Sequence, residues 1–348
     1  MKMLRKDATL KRSLAAAVSI GAIAVVLSGC AGPAGEGGDG GGDSARVAAV
    51  IKGLDNPFFQ AMEDGLTDTA DADGVDVTIQ AAADIGDTTG QADKLTALAG
   101  QDFGCFVVNP ISGTNLVQAL SQVSTAGKPI VNIDNPVDSD AAKTANIDIA
   151  TYIGTDNKAA GEKAGTFIAE QVQSGKVAVI GGIAGDVTSA ARIDGFKAAV
   201  DGTLDIVQET AADWKRELAL TAATDIIAAN PDLKAFFAAN DDMGLGIAKA
   251  IENAGLTGSI VVVSVDGNKD ALQSVADGGL TATVAQYPYA IGTLGLQACE
   301  VLAGGGEVPE NIESPTALVT ADVAADAIAQ FPQPFEEFEN PLTDLLDE

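Results

Sequence analysis

From Arg46 onward the chain alternates short, almost wholly apolar segments with amphipathic stretches of helical length. Strands are expected at 46–51, 75–80, 103–108 and 130–133, then in a second series at 176–181, 204–209, 234–239, 260–265 and 281–285. Helices are expected near 57–72, 89–99, 112–126, 157–173, 189–200, 215–229, 242–254 and 288–303. Strands with no polar face have to be covered on both sides, so helices must flank a parallel sheet. Two successive series predict an α/β protein of two similar, Rossmann-like lobes. Abundant Gly and Ala suit close helix packing in them.

The residues ahead of Arg46 read differently. Lys2, Arg5, Lys6, Lys11 and Arg12 form a basic start, and the apolar stretch 14–27 is short for a membrane span. It ends in Leu27-Ser28-Gly29-Cys30, which resembles the bacterial lipobox. That resemblance implies a signal peptide over 1–29, cleavage before Cys30, and a lipid on the Cys30 thiol that holds the mature protein outside the cytoplasm at the cell membrane. Residues 30–45 then form a glycine-rich linker between the anchor and the folded body. The last segment, 331–348, holds six acids, no base and three prolines, and is expected as a loosely docked acidic tail.

Charge narrows the function. The full chain carries a formal charge of −29. Without residues 1–29, which hold five basic and one acidic side chain, 15 Lys and Arg face 48 Asp and Glu, a charge of −33. Such a surface repels nucleic acid and phosphorylated ligands, and favours a neutral or cationic one. The chain has no histidine, so the commonest general base and zinc ligand are absent. No cofactor or metal is expected. Cys105 and Cys299 lie in apolar stretches and are expected as small buried side chains rather than as a disulfide, although sequence leaves their pairing open.

In parallel sheets, ligands bind beyond the carboxyl ends of the strands. Those positions here hold Asn56, Phe58 and Phe59; Asn109; Asp134 and Asn135; Thr155; Arg192; Trp214; Asn240; Asp266; and Gln286. Carboxylates, amides and a guanidinium match the paired donors and acceptors of sugar hydroxyls. Phe58, Phe59 and Trp214 offer flat surfaces for the C–H face of a ring. Each residue also has a plain structural reading: Asn56 and Asp134 as helix caps, Phe58 and Phe59 as a hydrophobic staple, and Asp241 and Asp242 as helix-start acids.

The stretches Leu54-Asp55-Asn56-Pro57-Phe58-Phe59, Asn109-Pro110, Ile133-Asp134, Ile153-Gly154-Thr155-Asp156-Asn157, Ser189-Ala190-Ala191-Arg192-Ile193-Asp194-Gly195-Phe196, Asn240-Asp241-Asp242-Met243-Gly244, Val265-Asp266-Gly267 and Ala285-Gln286 resemble the ribose/galactose branch of the type I periplasmic binding proteins. Their order and spacing match over roughly 46–320. The resemblance implies sugar contacts from Asn56, Phe58, Phe59, Asn109, Asp134, Arg192, Trp214, Asn240, Asp266 and Gln286. It also implies lobes of 46–155 with 287–314 and 156–286 with 315–330, joined by crossings near Thr155, Gln286 and Ser314. The implied role is a monomer that closes on a small neutral sugar or polyol and delivers it to an ABC permease. Two departures bear on specificity. Asn135 stands where ribose-binding members carry Arg, which puts D-ribose in doubt, and Val265 stands where an aromatic is common.

Other classes fit less well. A sugar-responsive repressor needs a helix-turn-helix and a basic face. The loop Gly181-Gly182-Ile183-Ala184-Gly185 lacks the GxGxxG spacing and any Walker lysine, and nothing marks a catalytic carboxylate pair, so the chain is not expected to be an enzyme. A sensor feeding a membrane receptor keeps the same fold and stays open as the alternative.

Overall fold

The first strand, β1 (Val47–Ile51), shows why the sheets lie where they do. Val47, Ala49 and Ile51 join one apolar cluster, while Ala48 and Val50 join another on the opposite face. Both faces are withdrawn from water, so the strand has no polar position. The computed structural model describes residues 46–336 and 338–346, which belong to one compact unit, Asp43–Glu348. The expectations for residues 1–45, lipidation of Cys30 among them, lie outside the described residues.

After β1 come α1 (Pro57–Asp73), β2 (Val77–Ala81), α2 (Thr88–Ala99), β3 (Cys105–Val108), α3 (Val117–Thr125), β4 (Ile130–Ile133), α4 (Ser139–Thr144) and β5 (Thr151–Thr155). The next run is α5 (Asn157–Val172), β6 (Gly175–Gly181), α6 (Val187–Val200), β7 (Leu204–Ala211), α7 (Arg216–Ala229), β8 (Leu233–Ala238), α8 (Asp241–Asn253), β9 (Val261–Asp266), α9 (Lys269–Ala276) and β10 (Ala282–Ala285). The chain ends with α10 (Pro288–Ala303), β11 (Asn311–Ser314), β12 (Ala317–Thr320), α11 (Ala324–Gln330) and α12 (Thr343–Leu346).

These strands form two sheets, in the orders β11-β5-β4-β3-β1-β2 and β12-β10-β9-β8-β6-β7. The first is parallel throughout, and the second is parallel except for the antiparallel edge pair β10 and β12. Each sheet is the centre of an α/β lobe. The chain passes from one to the other between β5 and α5, between β10 and α10, and between β11 and β12.

Local chemistry explains many of the element ends. Asp87, Asp138, Asp156 and Asp186 each accept a backbone N–H as the N-cap of a helix, so part of the acid excess serves the fold. Helices α5 and α6 touch through glycines. A Cβ on Gly161 would lie 1.9 Å from the Arg192 carbonyl oxygen, and one on Gly195 would lie 2.0 Å from that of Lys158. This close approach fixes where Arg192 projects.

Two expectations are overturned. Cys105 and Cys299 form a disulfide, with Cα atoms 5.7 Å apart, that ties β3 to α10 across 194 residues of sequence. The sequence-level reading took the two apolar stretches separately and had no means of seeing them packed together. The C-terminal segment is not loosely docked. Phe331 and Phe335 pack on the core of the second lobe, Leu345 packs on that of the first, and Phe338 touches both. Leu342 is fully buried in the first lobe, and the Asn340 side chain donates to Gln297 Oε1 at 2.8 Å. The apolar residues between its acids and prolines outweigh the charge.

Three strands and four helices escape the sequence-level reading: β5, β11, β12, α4, α9, α11 and α12. The edge strands β11 and β12 are four residues each and half of their positions are not buried. Their order comes from the neighbouring strand rather than from local pattern.

Candidate ligand-binding cleft

The carboxyl ends of the two sheets face each other across a cleft with about 520 Å³ of space free of protein atoms, counting the part open to solvent. One lobe lines it with Lys52, Asn56, Phe58, Phe59, Ile85, Ile111 and Asp134, and the other with Ile183, Asp186, Thr188, Arg192, Trp214, Asn240 and Asp266. Eight of the twelve sequence-level candidates therefore converge on a single cavity.

Asn56 and Asn240 begin helices α1 and α8, where their Oδ1 atoms accept from Phe58 N at 2.9 Å and Met243 N at 3.0 Å. Each is a helix cap and a cleft residue at once. Among the described residues, the Nδ2 groups have no protein acceptor, which leaves donors for a ligand. Phe58 and Phe59 meet edge to face, with centroids 5.2 Å apart, and both also belong to the core of the first lobe. Trp214 lies against the second sheet. A Cβ on Gly182 would sit 2.1 Å from its indole, so only glycine at 182 admits the ring in this position.

The charged groups are held tightly. Arg192, 3 % exposed, donates through Nη1 to the Ala239 carbonyl at 2.6 Å and to Asp266 Oδ1 at 3.3 Å, and through Nε to Asn157 Oδ1 at 2.8 Å. It thereby ties α6 to the ends of β8 and β9 and to the start of α5. Burial pushes the Asp266 carboxyl well above the usual carboxylate range, and the Arg192 guanidinium pulls against that shift. In the first lobe, Lys52 Nζ lies 3.3 Å from Asp134 Oδ2 and 5.2 Å from the Phe59 ring centroid. The Tyr152 hydroxyl donates to the Asp134 carbonyl at 2.6 Å, and burial, with the Asp134 charge, raises the Tyr152 pKa.

Asp134, Trp214 and Asp266 all have positive φ, at 59°, 64° and 142°. Non-glycine residues in such conformations cost about 1–3 kcal/mol each and persist where surrounding contacts over-determine them, often at functional sites.

Four candidates lie outside the lining. Asn109 is fully buried and its Nδ2 points to the Met62 sulfur at 3.4 Å. Asn135 spends its Nδ2 on the Pro110 and Ile111 carbonyls, and its Oδ1 accepts from Thr188 Oγ1 at 3.2 Å. Thr155 is buried where the chain leaves the first sheet. Gln286 stands behind the cleft and donates to Asp266 Oδ1 at 2.8 Å. Val265 also turns away, into the core with Phe237 and Val284, so its size does not set the width of the cleft.

Sequence reading missed Lys52, Ile85, Ile111, Ile183, Asp186 and Thr188. Lys52 was within reach of the strand-end rule, since it follows β1 directly. The others sit on loops and a helix start whose approach depends on the partner lobe.

Two parallel-sheet lobes around one cleft, lined by fixed polar groups and aromatic walls, define a two-lobed solute-binding protein. A family model described as "Periplasmic binding protein domain" matches residues 47–307, and the chain belongs to this family of binding proteins, which are not enzymes. Its location is extracytoplasmic. The D-allose-binding periplasmic protein of Escherichia coli (strain K12) is 38% identical over 73% of this chain and 83% of its own length. The Ribose import binding protein RbsB of Bacillus subtilis (strain 168) is 33% identical over 78% of this chain and 85% of its own. Among solved structures, an ABC transporter periplasmic solute binding protein from Actinobacillus succinogenes with bound D-allose superposes with a TM-score of 0.77, at 28% identity, over 81% of this chain and 99% of that one.

Proposed function

We propose that this protein captures a small neutral monosaccharide in the cleft by closing its lobes, and presents it to an ABC permease for import. The observation that carries the reading is the single cavity shared by Asp134 from one lobe and Arg192 and Asp266 from the other, walled by Phe58, Phe59 and Trp214. A ligand there completes its contacts only when the lobes meet, so it favours the closed state by its differential affinity.

An aldohexose such as D-allose is the first ligand to test, ahead of D-ribose. The relative that binds D-allose supports this, and so does Asn135, whose amide is consumed within the protein where ribose-binding members offer Arg. Linear polyols form the second class. The proposed hinge is the three crossings near Thr155, Gln286 and Ser314, and the proposed lobes are 46–155 with 287–314 and 156–286 with 315–330. We further propose that 1–29 is a signal peptide, that Cys30 carries a lipid, that 31–45 is the tether, and that the protein acts as a monomer.

Calorimetric titration with D-allose, D-ribose, other monosaccharides and sugar alcohols tests the reading. Saturable binding of a sugar at micromolar concentration or below is expected, and Asp266→Ala nearly abolishes it while the fold survives. A protein that binds no monosaccharide or polyol is not the importer component proposed. Small-angle scattering gives the hinge its own test, since closure requires a smaller radius at saturation.

A further inference from the structure

We infer that Asp241, which does not line the cleft, is a positioning residue that holds the cleft carboxylate of Asp266 in place. The inference rests on the sugar-binding reading and identifies what builds the second-lobe half of that site.

Asp241 is the first residue of α8 and is fully buried. Three donors converge on its carboxylate. Oδ1 accepts from Ser264 Oγ at 2.5 Å and Thr283 Oγ1 at 2.7 Å, and Oδ2 accepts from the Asn268 backbone N–H at 2.7 Å. The acid is more than a favourable charge at a helix start, the part its neighbour Asp242 plays while paired with Arg216 at 2.6 Å. Asp241 joins α8 to β9, to β10 and to the turn that precedes α9.

Its partners bracket Asp266. Ser264 lies two residues before it and Asn268 two residues after. Between them the backbone turns sharply, with φ of 142° at Asp266 and 78° at Gly267. Aspartate disfavours that conformation, so it needs outside contacts to persist. A Cβ at Gly267 would lie 2.5 Å from the Ala285 Cβ, so the turn is pressed against β10 with no room to relax. Charge-assisted hydrogen bonds on both sides of the turn are strong enough to hold it. The result is that the Asp266 Oδ1 meets Arg192 and Gln286 at the edge of the cavity.

The experiment uses two variants. Asn268→Pro deletes the N–H that Asp241 accepts, together with a side chain that makes no helix-cap hydrogen bond, and the φ of −65° at Asn268 suits the proline ring. Asp241→Ala deletes the carboxylate. Thr283→Val serves as control, since it removes a partner of Asp241 that lies on β10, outside the bracket of residues 264–268. Affinity for D-allose is read from the fluorescence of Trp214, the single tryptophan. Both variants are expected to lose about tenfold or more in affinity, against little change for Thr283→Val, and to lose nothing further in an Asp266→Asn background. Backbone amide exchange at Gly267, measured without ligand, is expected to speed up at least tenfold in either variant while β8 stays protected. Unchanged exchange at Gly267 in the folded Asn268→Pro protein overturns the inference, whatever the protein binds. An affinity loss that persists undiminished in the Asp266→Asn background overturns it as well. Wild-type protein that binds no sugar sinks the functional reading alone, because the exchange measurement still decides the role of Asp241.

Discussion

Asn135 of the first lobe and Thr188 of the second are joined directly across the cleft, with Thr188 Oγ1 donating to Asn135 Oδ1 at 3.2 Å. The bond needs no ligand, yet it exists only when the lobes are together. In the hinge motion proposed above, it favours closure. A neutral hydrogen bond contributes about 1 kcal/mol, which is roughly fivefold in a closing equilibrium. Thr188→Val is expected to weaken sugar binding by about that factor, and Asn135→Ala to add little to it in the double variant. Calorimetry on the four proteins checks this. Full additivity would mean that the two side chains do not act as a pair.

Stability is expected to respond to pH through Glu300. Burial pushes its carboxyl from 4.5 up to about 7, and the neighbouring Asp73 adds to the shift. The folded protein thus holds a proton here that the unfolded chain releases near pH 4.5. Stability from this group is fully present below about 4.5 and is lost as pH rises to about 7. Glu300→Gln is expected to raise the melting temperature above pH 7 and to leave it unchanged near pH 4. A gain that is equal at both pH values would rule out titration of Glu300 as the cause.

The disulfide closes a long loop. Cross-linking over 194 residues restricts the unfolded chain by about 5 kcal/mol in the loop-entropy model, with 2–4 kcal/mol more typical of measured cases. Cys105→Ala with Cys299→Ala is expected to lower the melting temperature by roughly 10 °C and to leave sugar affinity near that of the wild type, since neither residue lines the cleft. Thermal unfolding of the oxidised protein and the variant measures the difference.

Leu342 anchors the C-terminal segment in the first lobe. Its side chain is fully buried, so Leu342→Ala is expected to cost about 2–4 kcal/mol in urea unfolding. Removal of residues 331–348 is expected to cost more, because the exposed faces of both lobe cores lose the cover of Phe331, Phe335 and Phe338 as well. A truncated protein as stable as the full chain would show that the segment contributes no net packing energy.

Local patterns made much of this protein legible. Strands such as Val47–Ile51 and Val177–Gly181 are apolar throughout because helices cover both faces, and that need is written in the residues themselves. The strand-end rule then pointed to Asp134, Arg192, Trp214 and Asp266, because a parallel sheet exposes functional groups at one edge only. What the sequence by itself determined was therefore the lobe architecture and the chemical character of the cleft. Tertiary structure decided which neighbours each side chain meets. Asn135 faces Thr188 and two carbonyls instead of the cavity, Val265 turns into the core, Cys105 finds Cys299, and Asp241 collects donors from three elements. Each of these depends on distances between residues far apart in the chain. Periodicity and composition describe only what neighbours along the backbone share, so no local pattern encodes those distances.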